Sequence, residues 1–265
     1  MTIAAWIALA LGAWTLWALL CAWLESGPRP GLVGGLVYYG IRLYARVTHH
    51  LEVDGARLAP PRHAAGPLVV VCNHTAGIDP ILVQAACPFE VRWVMAEDMR
   101  SPRLRFVWDW TAVIFVDRAG RDAGGAREAV RHLKAGGVLG IFPEGRIERP
   151  QRLLLPFQAG VGMIIRRSGA DALLVSIEGA PTTTTAWGSL WLSSRARVRF
   201  LERVSYAGTD LGATEIAEDL RRRFAQRTGW EVTDCAPPPS EAPEARHDGL
   251  DGSLARRAAV QPVTP

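Results

Sequence analysis

Leu68-Val69-Val70-Val71-Cys72-Asn73-His74-Thr75-Ala76-Gly77-Ile78-Asp79-Pro80-Ile81-Leu82-Val83 is the stretch on which the fold turns. Its first five residues are apolar and valine-rich, the pattern of a strand covered on both faces. Pro80 and the apolar residues after it open a helical stretch, so 73–79 is a strand-to-helix loop. Similar apolar runs return at 91–95, 112–116, 138–142 and 172–177, and helical stretches fall near 80–86, 101–109, 124–135 and 159–168. Alternating buried strands and helices predict an α/β domain with a largely parallel sheet flanked by helices. In such sheets function collects in loops at strand ends. Residues 195–203 alternate with period two, which predicts a strand with one wet face at an edge of the sheet. Residues 214–227 read as an amphipathic helix with Thr214 as N-cap and Gly229 just past its end.

The chain before this domain is of another kind. Met1 to Leu24 carries no charged side chain, and as a helix at 1.5 Å per residue it reaches roughly 36 Å, enough to cross a hydrocarbon core. A cleaved signal peptide is the rival reading. The segment lacks a basic start, and Ala18-Leu19-Leu20-Cys21 puts a large Leu where lipoprotein cleavage wants a small residue. Arg29, Arg42 and Arg46 follow the span and no basic residue precedes it, which predicts a cytoplasmic location for everything after it, on the cytoplasmic membrane. Residues 31–50 form a second helical pattern, with Leu32, Leu36, Leu43 and Val47 on one side and Arg42 and Arg46 on another. Its Tyr38, Tyr39 and Tyr44 suit either a lipid headgroup layer or docking on the domain. The resulting organisation is 1–50 as membrane-anchoring helices, 51–234 as the catalytic domain, and 235–265 as a proline-rich, disordered tail.

A chain of 265 residues, 49% of them hydrophobic, builds one good core and not two catalytic domains. The net charge of +4 fits nucleic acid, anionic lipid or a phosphorylated substrate alike. Nucleic acid is set aside because Arg221-Arg222-Arg223 lies on a helical face without an accompanying aromatic-basic motif. The four cysteines form no Cys-x-x-Cys pair and have no histidine at metal spacing, so neither a metal site nor a disulfide framework is predicted.

His74 and Asp79 sit at the two ends of the loop. A neutral imidazole accepts a proton from an alcohol while a carboxylate on its other nitrogen fixes the tautomer and stabilises the imidazolium that forms. With six histidines in the chain, finding one with an aspartate five residues on has a chance probability of roughly one in three at ordinary Asp usage. The pair gains weight from Ile114-Phe115-Val116-Asp117-Arg118 and Ile141-Phe142-Pro143-Glu144-Gly145-Arg146, which end two further strands at the same sheet edge. Arg118 and Arg146 suit phosphate oxygens, since guanidinium binds them bidentately. A surface ion pair with Asp117 or Glu148 is the other reading of these arginines.

Asn73-His74-Thr75-Ala76-Gly77-Ile78-Asp79-Pro80, Phe115-Val116-Asp117-Arg118 and Phe142-Pro143-Glu144-Gly145-Arg146, in that order and spacing, resemble the 1-acylglycerol-3-phosphate acyltransferases and related lysolipid acyltransferases. The similarity runs from about Leu51 to Arg203, and Glu52-Val53-Asp54-Gly55 looks like that family's short entry strand and turn. The resemblance implies a glycerolipid-acyltransferase-like fold and transfer of a fatty acyl group from acyl-CoA or acyl carrier protein to a lipid hydroxyl. It implies His74 as general base, Asp79 as its orienting partner, and acceptor binding by Asn73, Arg118, Glu144, Gly145 and Arg146. No cofactor beyond the acyl donor is implied, and membrane lipids are the implied partners.

Three stretches depart from the family pattern. Ala96-Glu97-Asp98-Met99 replaces a lysine-rich segment, Arg146-Ile147 stands where phosphatidate-forming members often carry Thr-Arg, and Leu173-Leu174-Val175-Ser176-Ile177 lacks a proline. The acceptor therefore stays open between 1-acylglycerol-3-phosphate and another lysolipid, such as a lysophospholipid or lyso-ornithine lipid. Outside this class stand an acyl-thioester hydrolase, in which His74 activates water, and a non-catalytic membrane protein. No Gly-x-Ser-x-Gly elbow supports the hydrolase.

Overall fold

A computed structural model describes residues 2–117, 123–147, 151–183 and 186–234. The chain runs through α1 (Ile3–Glu25), α2 (Leu32–Thr48), β1 (Glu52–Asp54), β2 (Leu68–Cys72), α3 (Asp79–Ala86), β3 (Arg92–Ala96), α4 (Arg105–Thr111) and β4 (Ile114–Val116). It continues through α5 (Gly124–Lys134), β5 (Val138–Ile141), β6 (Leu153–Leu154), α6 (Ala159–Ser168), β7 (Asp171–Glu178), β8 (Arg197–Val204), α7 (Ala213–Thr228) and β9 (Glu231–Val232).

Seven strands make one sheet in the order β1-β8-β7-β2-β5-β3-β4, parallel throughout except for the antiparallel pair β7–β8. The unbroken apolar run of β2 is explained by its place between β7 and β5, where every residue is buried. Successive side chains of a strand point to opposite faces. Leu68, Val70 and Cys72 accordingly enter the core beneath α2 and α3, while Val69 and Val71 enter the core shared with α5, α6 and α7. Each fully buried valine contributes about 1.5–3 kcal/mol relative to exposure.

The α/β architecture and the strand-helix alternation match the sequence expectation, with differences of physical origin. The strand expected over 112–116 begins only at Ile114, because Ala112 adopts a left-handed conformation (φ 50°) after α4. The strand expected over 138–142 ends at Ile141, and Phe142 turns out of the sheet toward His74. The strand around 195–203 is not at the edge: β1 lies outside it, with Glu52 to Asp54 paired in register with Arg197 to Arg199. Alternation reports a wet face but not the neighbour in the sheet. Thr214 is not the N-cap of α7 either. Gly212 takes that place, its backbone N–H donating to the Glu215 carboxylate at 2.6 Å, while Gly229 closes the helix as expected (φ 73°).

Helix α1 has no buried residue, and it is the one helix among the described residues long and apolar enough to cross a membrane. It turns back into α2 at a very close crossing: a Cβ on Gly35 would lie 1.9 Å from the carbonyl oxygen of Leu24. The hairpin is tied further by Tyr39, stacked on Trp23 at 4.0 Å and bonded to Ser26. Arg29 donates to the Trp110 carbonyl at 2.7 Å and pairs with Glu90, and Arg62 donates to the Ser26 carbonyl at 3.0 Å.

One side of α2 docks on the domain. Tyr38 is buried and donates to the Cys87 carbonyl at the end of α3 (3.0 Å), and Tyr44 donates to the Leu190 carbonyl. Of the two roles open to these tyrosines, both take the docked one. The opposite side, with Leu32, Leu36, Leu43 and Val47, is exposed.

Candidate active site

The ladder between β2 and β7 extends one step past Cys72 through a side chain. Asn73 Oδ1 accepts the Ile177 N–H at 2.8 Å and Nδ2 donates to the Ile177 carbonyl at 3.0 Å. Asn73 has no exposed surface, so its amide imitates a backbone pair and fixes where the loop leaves the sheet. It supports the loop from behind.

Within the loop, His74 Nδ1 lies 2.9 Å from Asp79 Oδ2. That oxygen also accepts the backbone N–H groups of Thr75 and Ala76, and Thr75 Oγ1 donates to Oδ1 at 3.1 Å. Asp79 is fully buried, and it is the first residue of α3, where the helix dipole favours negative charge. With a carboxylate facing Nδ1, the proton of neutral imidazole belongs on Nδ1 and the lone pair on Nε2. The His74 side chain is 20% exposed. Thr75 thus holds the carboxylate with both its amide and its hydroxyl, a role that spacing alone did not reveal.

The loop after β5 supplies the next wall. Phe142 stacks on the His74 ring with centroids 4.1 Å apart and planes 16° apart. Behind it, Pro143 accepts the Gln158 N–H at 2.8 Å, and Gly145, at φ 71°, closes the turn by donating to the Phe142 carbonyl. Glu144 is buried, with Oε2 accepting the Leu155 N–H at 3.3 Å, whereas Gly145 and Arg146 are exposed at the tip. The structure therefore brings His74, Asp79 and the Phe142–Arg146 turn to one edge of the sheet. Arg118 lies outside the described residues.

A cleft of about 180 Å³ opens beside Thr75 at the C-terminal ends of β2 and β7, bounded by Arg152, Ile177, Glu178 and Gly179. A larger cavity of about 640 Å³ lies at the opposite ends of the strands, bordered by Gly66, Gly136 and Arg92. Its arginines are engaged within the fold, Arg62 with Ser26 and Arg92 with Glu128, and it is remote from the imidazole. The smaller cleft lies at the same strand ends as His74, although the imidazole does not line it. Among the described residues no three His, Cys, Asp or Glu side chains converge as metal ligands would. Burial pushes the thiols of Cys72 and Cys87 far up, so neither is a nucleophile near neutral pH.

Trp93 and Gly140 are the residues of this region that the sequence did not single out. The only signal was a glycine in the middle of an apolar strand, which marks a close approach.

Comparison with known proteins agrees with this architecture. The family model described as Acyltransferase matches residues 50–183. Among solved structures, the chain is similar to the crystal structure of the 1-acyl-sn-glycerophosphate (LPA) acyltransferase PlsC from Thermotoga maritima. The identity is 21%, the TM-score 0.57, and the match covers 72% of this chain and 77% of that one.

Proposed function

Since the chain belongs to the acyltransferase family, we propose that it moves a fatty acyl group from acyl-CoA or acyl carrier protein to the hydroxyl of a lysolipid in phospholipid biosynthesis. The observation that carries this reading is the 2.9 Å contact of His74 Nδ1 with a buried Asp79 carboxylate, which leaves Nε2 as the base. The acceptor hydroxyl gives its proton to Nε2 as its oxygen attacks the thioester carbonyl, because an alcohol cannot be ionised beforehand near neutral pH. Collapse of the tetrahedral intermediate breaks the C–S bond, and the imidazolium returns the proton to the departing sulfur. Asp79 stabilises the imidazolium between these steps.

In this reading 1-acylglycerol-3-phosphate is the foremost acceptor, the substrate named for the similar Thermotoga maritima enzyme. Arg146, exposed at the turn, and Arg118 serve its phosphate, and Glu144 and Gly145 shape the turn. A second acceptor class, a lysolipid without a free phosphomonoester, is favoured by the acidic Glu97-Asp98 after β3, where Arg100 is already paired with Glu97 at 3.1 Å.

We place α1 across the cytoplasmic membrane with the domain on the cytoplasmic side, from the arginines that follow it. The exposed outer side of α2, with Phe106 and Trp110 of α4 and Trp187 and Trp191 of the 186–192 segment, gives the domain an apolar surface beside that anchor.

The test incubates membranes carrying the full chain with labelled acyl-CoA and a panel of lysolipids, alongside His74→Ala. Esterified product from one acceptor, lost in the variant, is the expected result. Free fatty acid instead of ester would make the protein a hydrolase, and unchanged transfer in His74→Ala would remove the base assigned here.

A further inference from the structure

We propose that Trp93 is a positioning residue for His74, acting through the ring of Phe142. The inference rests on His74 being the base.

Three rings lie in series. The His74 imidazole stacks on Phe142, and Phe142 stacks in turn on the Trp93 indole with centroids 5.0 Å apart and planes 13° apart. The series starts from strand register. Trp93 in β3 pairs with Gly140 in β5. A Cβ at Gly140 would lie 2.6 Å from Trp93 Cε3 and 2.7 Å from Cζ3, so the glycine is what lets the indole lie flat across its neighbour. From that position the indole reaches Phe142, two residues beyond Gly140 and on the same side of the strand path.

The stack supplies a constraint that the carboxylate lacks. The Nδ1 contact with Asp79 pins one corner of the imidazole but leaves the ring free to swing about that contact. A flat aromatic surface against the ring face fixes the plane, and the two restraints together determine where Nε2 points. The positive charge taken up during proton transfer then also lies over an aromatic face. Phe142, on the turn after β5, is half-buried against the core beneath α2 and α3 and stacks on Trp93 as well as on His74. Trp93, carried by a strand, provides the fixed end of the stack.

The experiment compares Trp93→Ala, Trp93→Phe and Gly140→Ala in the full chain, measuring kcat and the KM of donor and acceptor. In parallel, 13C-labelled histidine reports the His74 Cε1–H resonance, assigned by its loss in His74→Ala and displaced upfield by the ring current of Phe142. Trp93→Ala is expected to lower kcat by about tenfold to a hundredfold with KM values within about twofold of the parent. Its His74 resonance should move downfield. Trp93→Phe keeps a ring under Phe142 and should recover most of kcat. Gly140→Ala keeps the tryptophan but forces the indole off the strand, and should resemble Trp93→Ala.

If Trp93→Ala does not fold, the other two variants decide the question. Parental kcat and an unmoved resonance in Trp93→Ala, or in Gly140→Ala and Trp93→Phe alike, would overturn the inference. So would a raised KM with unchanged kcat, which would make Trp93 a substrate contact. An inactive His74→Ala beside a normal Trp93→Ala sinks this inference alone, whereas an active His74→Ala sinks the proposed chemistry with it.

Discussion

Asp79 receives His74 Nδ1 on the same carboxylate oxygen that accepts the backbone N–H groups of Thr75 and Ala76. One buried atom therefore sets both the imidazole tautomer and the shape of the loop. Asp79→Asn keeps a carbonyl oxygen for these donors but removes the charge that stabilises the imidazolium. Its kcat should fall by about 10³-fold or more with the fold intact. Asp79→Ala strips the acceptor from buried donors, and a loss of about 3 kcal/mol of stability should accompany the loss of activity. Steady-state kinetics and urea unfolding of the two variants separate these effects.

Asn73 is expected to matter for stability and rate rather than for lipid affinity. Asn73→Leu breaks both bonds to Ile177 and should cost about 1–3 kcal/mol, since it leaves buried backbone groups without those partners. The lysolipid KM should stay near the parental value while kcat drops. A raised KM with unchanged unfolding midpoint would instead make the amide a substrate contact.

Acid sensitivity should arise at the base of the anchor. Burial pushes the pKa of His49 down, and its ring lies between Tyr44 and Ser194 Oγ, the latter at 2.8 Å. Burial also lowers His132, beside the Val138 carbonyl at 3.1 Å. A histidine whose folded pKa is depressed binds fewer protons folded than unfolded once pH falls below about 6.5. Stability is therefore full above that value and declines below it, until pH passes the depressed folded value. Thermal melts from pH 7.5 to 5 should show a falling Tm, and His49→Asn should flatten part of the slope.

The α1–α2 crossing makes a steric prediction. Gly35→Val puts a side chain where the Leu24 carbonyl already lies, so the hairpin must splay. The chain should remain in the membrane fraction after a carbonate wash, because α1 is unchanged, yet lose activity through the displaced α2. Protease should then cut between α1 and the domain more readily than in the parent.

How far the sequence can be read is clear from particular residues. The loop from Asn73 to Asp79 was legible because strand period, helix onset and the chemistry of His and Asp are all local features. The place of β8 was not, since alternation describes a strand's own faces and leaves its neighbours unspecified. Trp93 passed as one more apolar strand residue because its significance depends on Gly140 and Phe142, 47 and 49 positions away by residue number. Tyr38 and Tyr44 had two plausible partners, lipid and protein, and only packing chose between them.

The bond from Tyr38 to the Cys87 carbonyl acquires its meaning from what stands at the other end of α3. That helix is eight residues long, about 12 Å at 1.5 Å per residue, with Asp79 at its start and the α2 contact at its finish. A short rod joined at one end to α2 and at the other to the carboxylate that holds His74 works as a spacer. With α1 across a bilayer as proposed, this rod would tie the height of Nε2 to the anchor, and acceptors would then be sorted by the depth at which their hydroxyl floats as well as by headgroup chemistry.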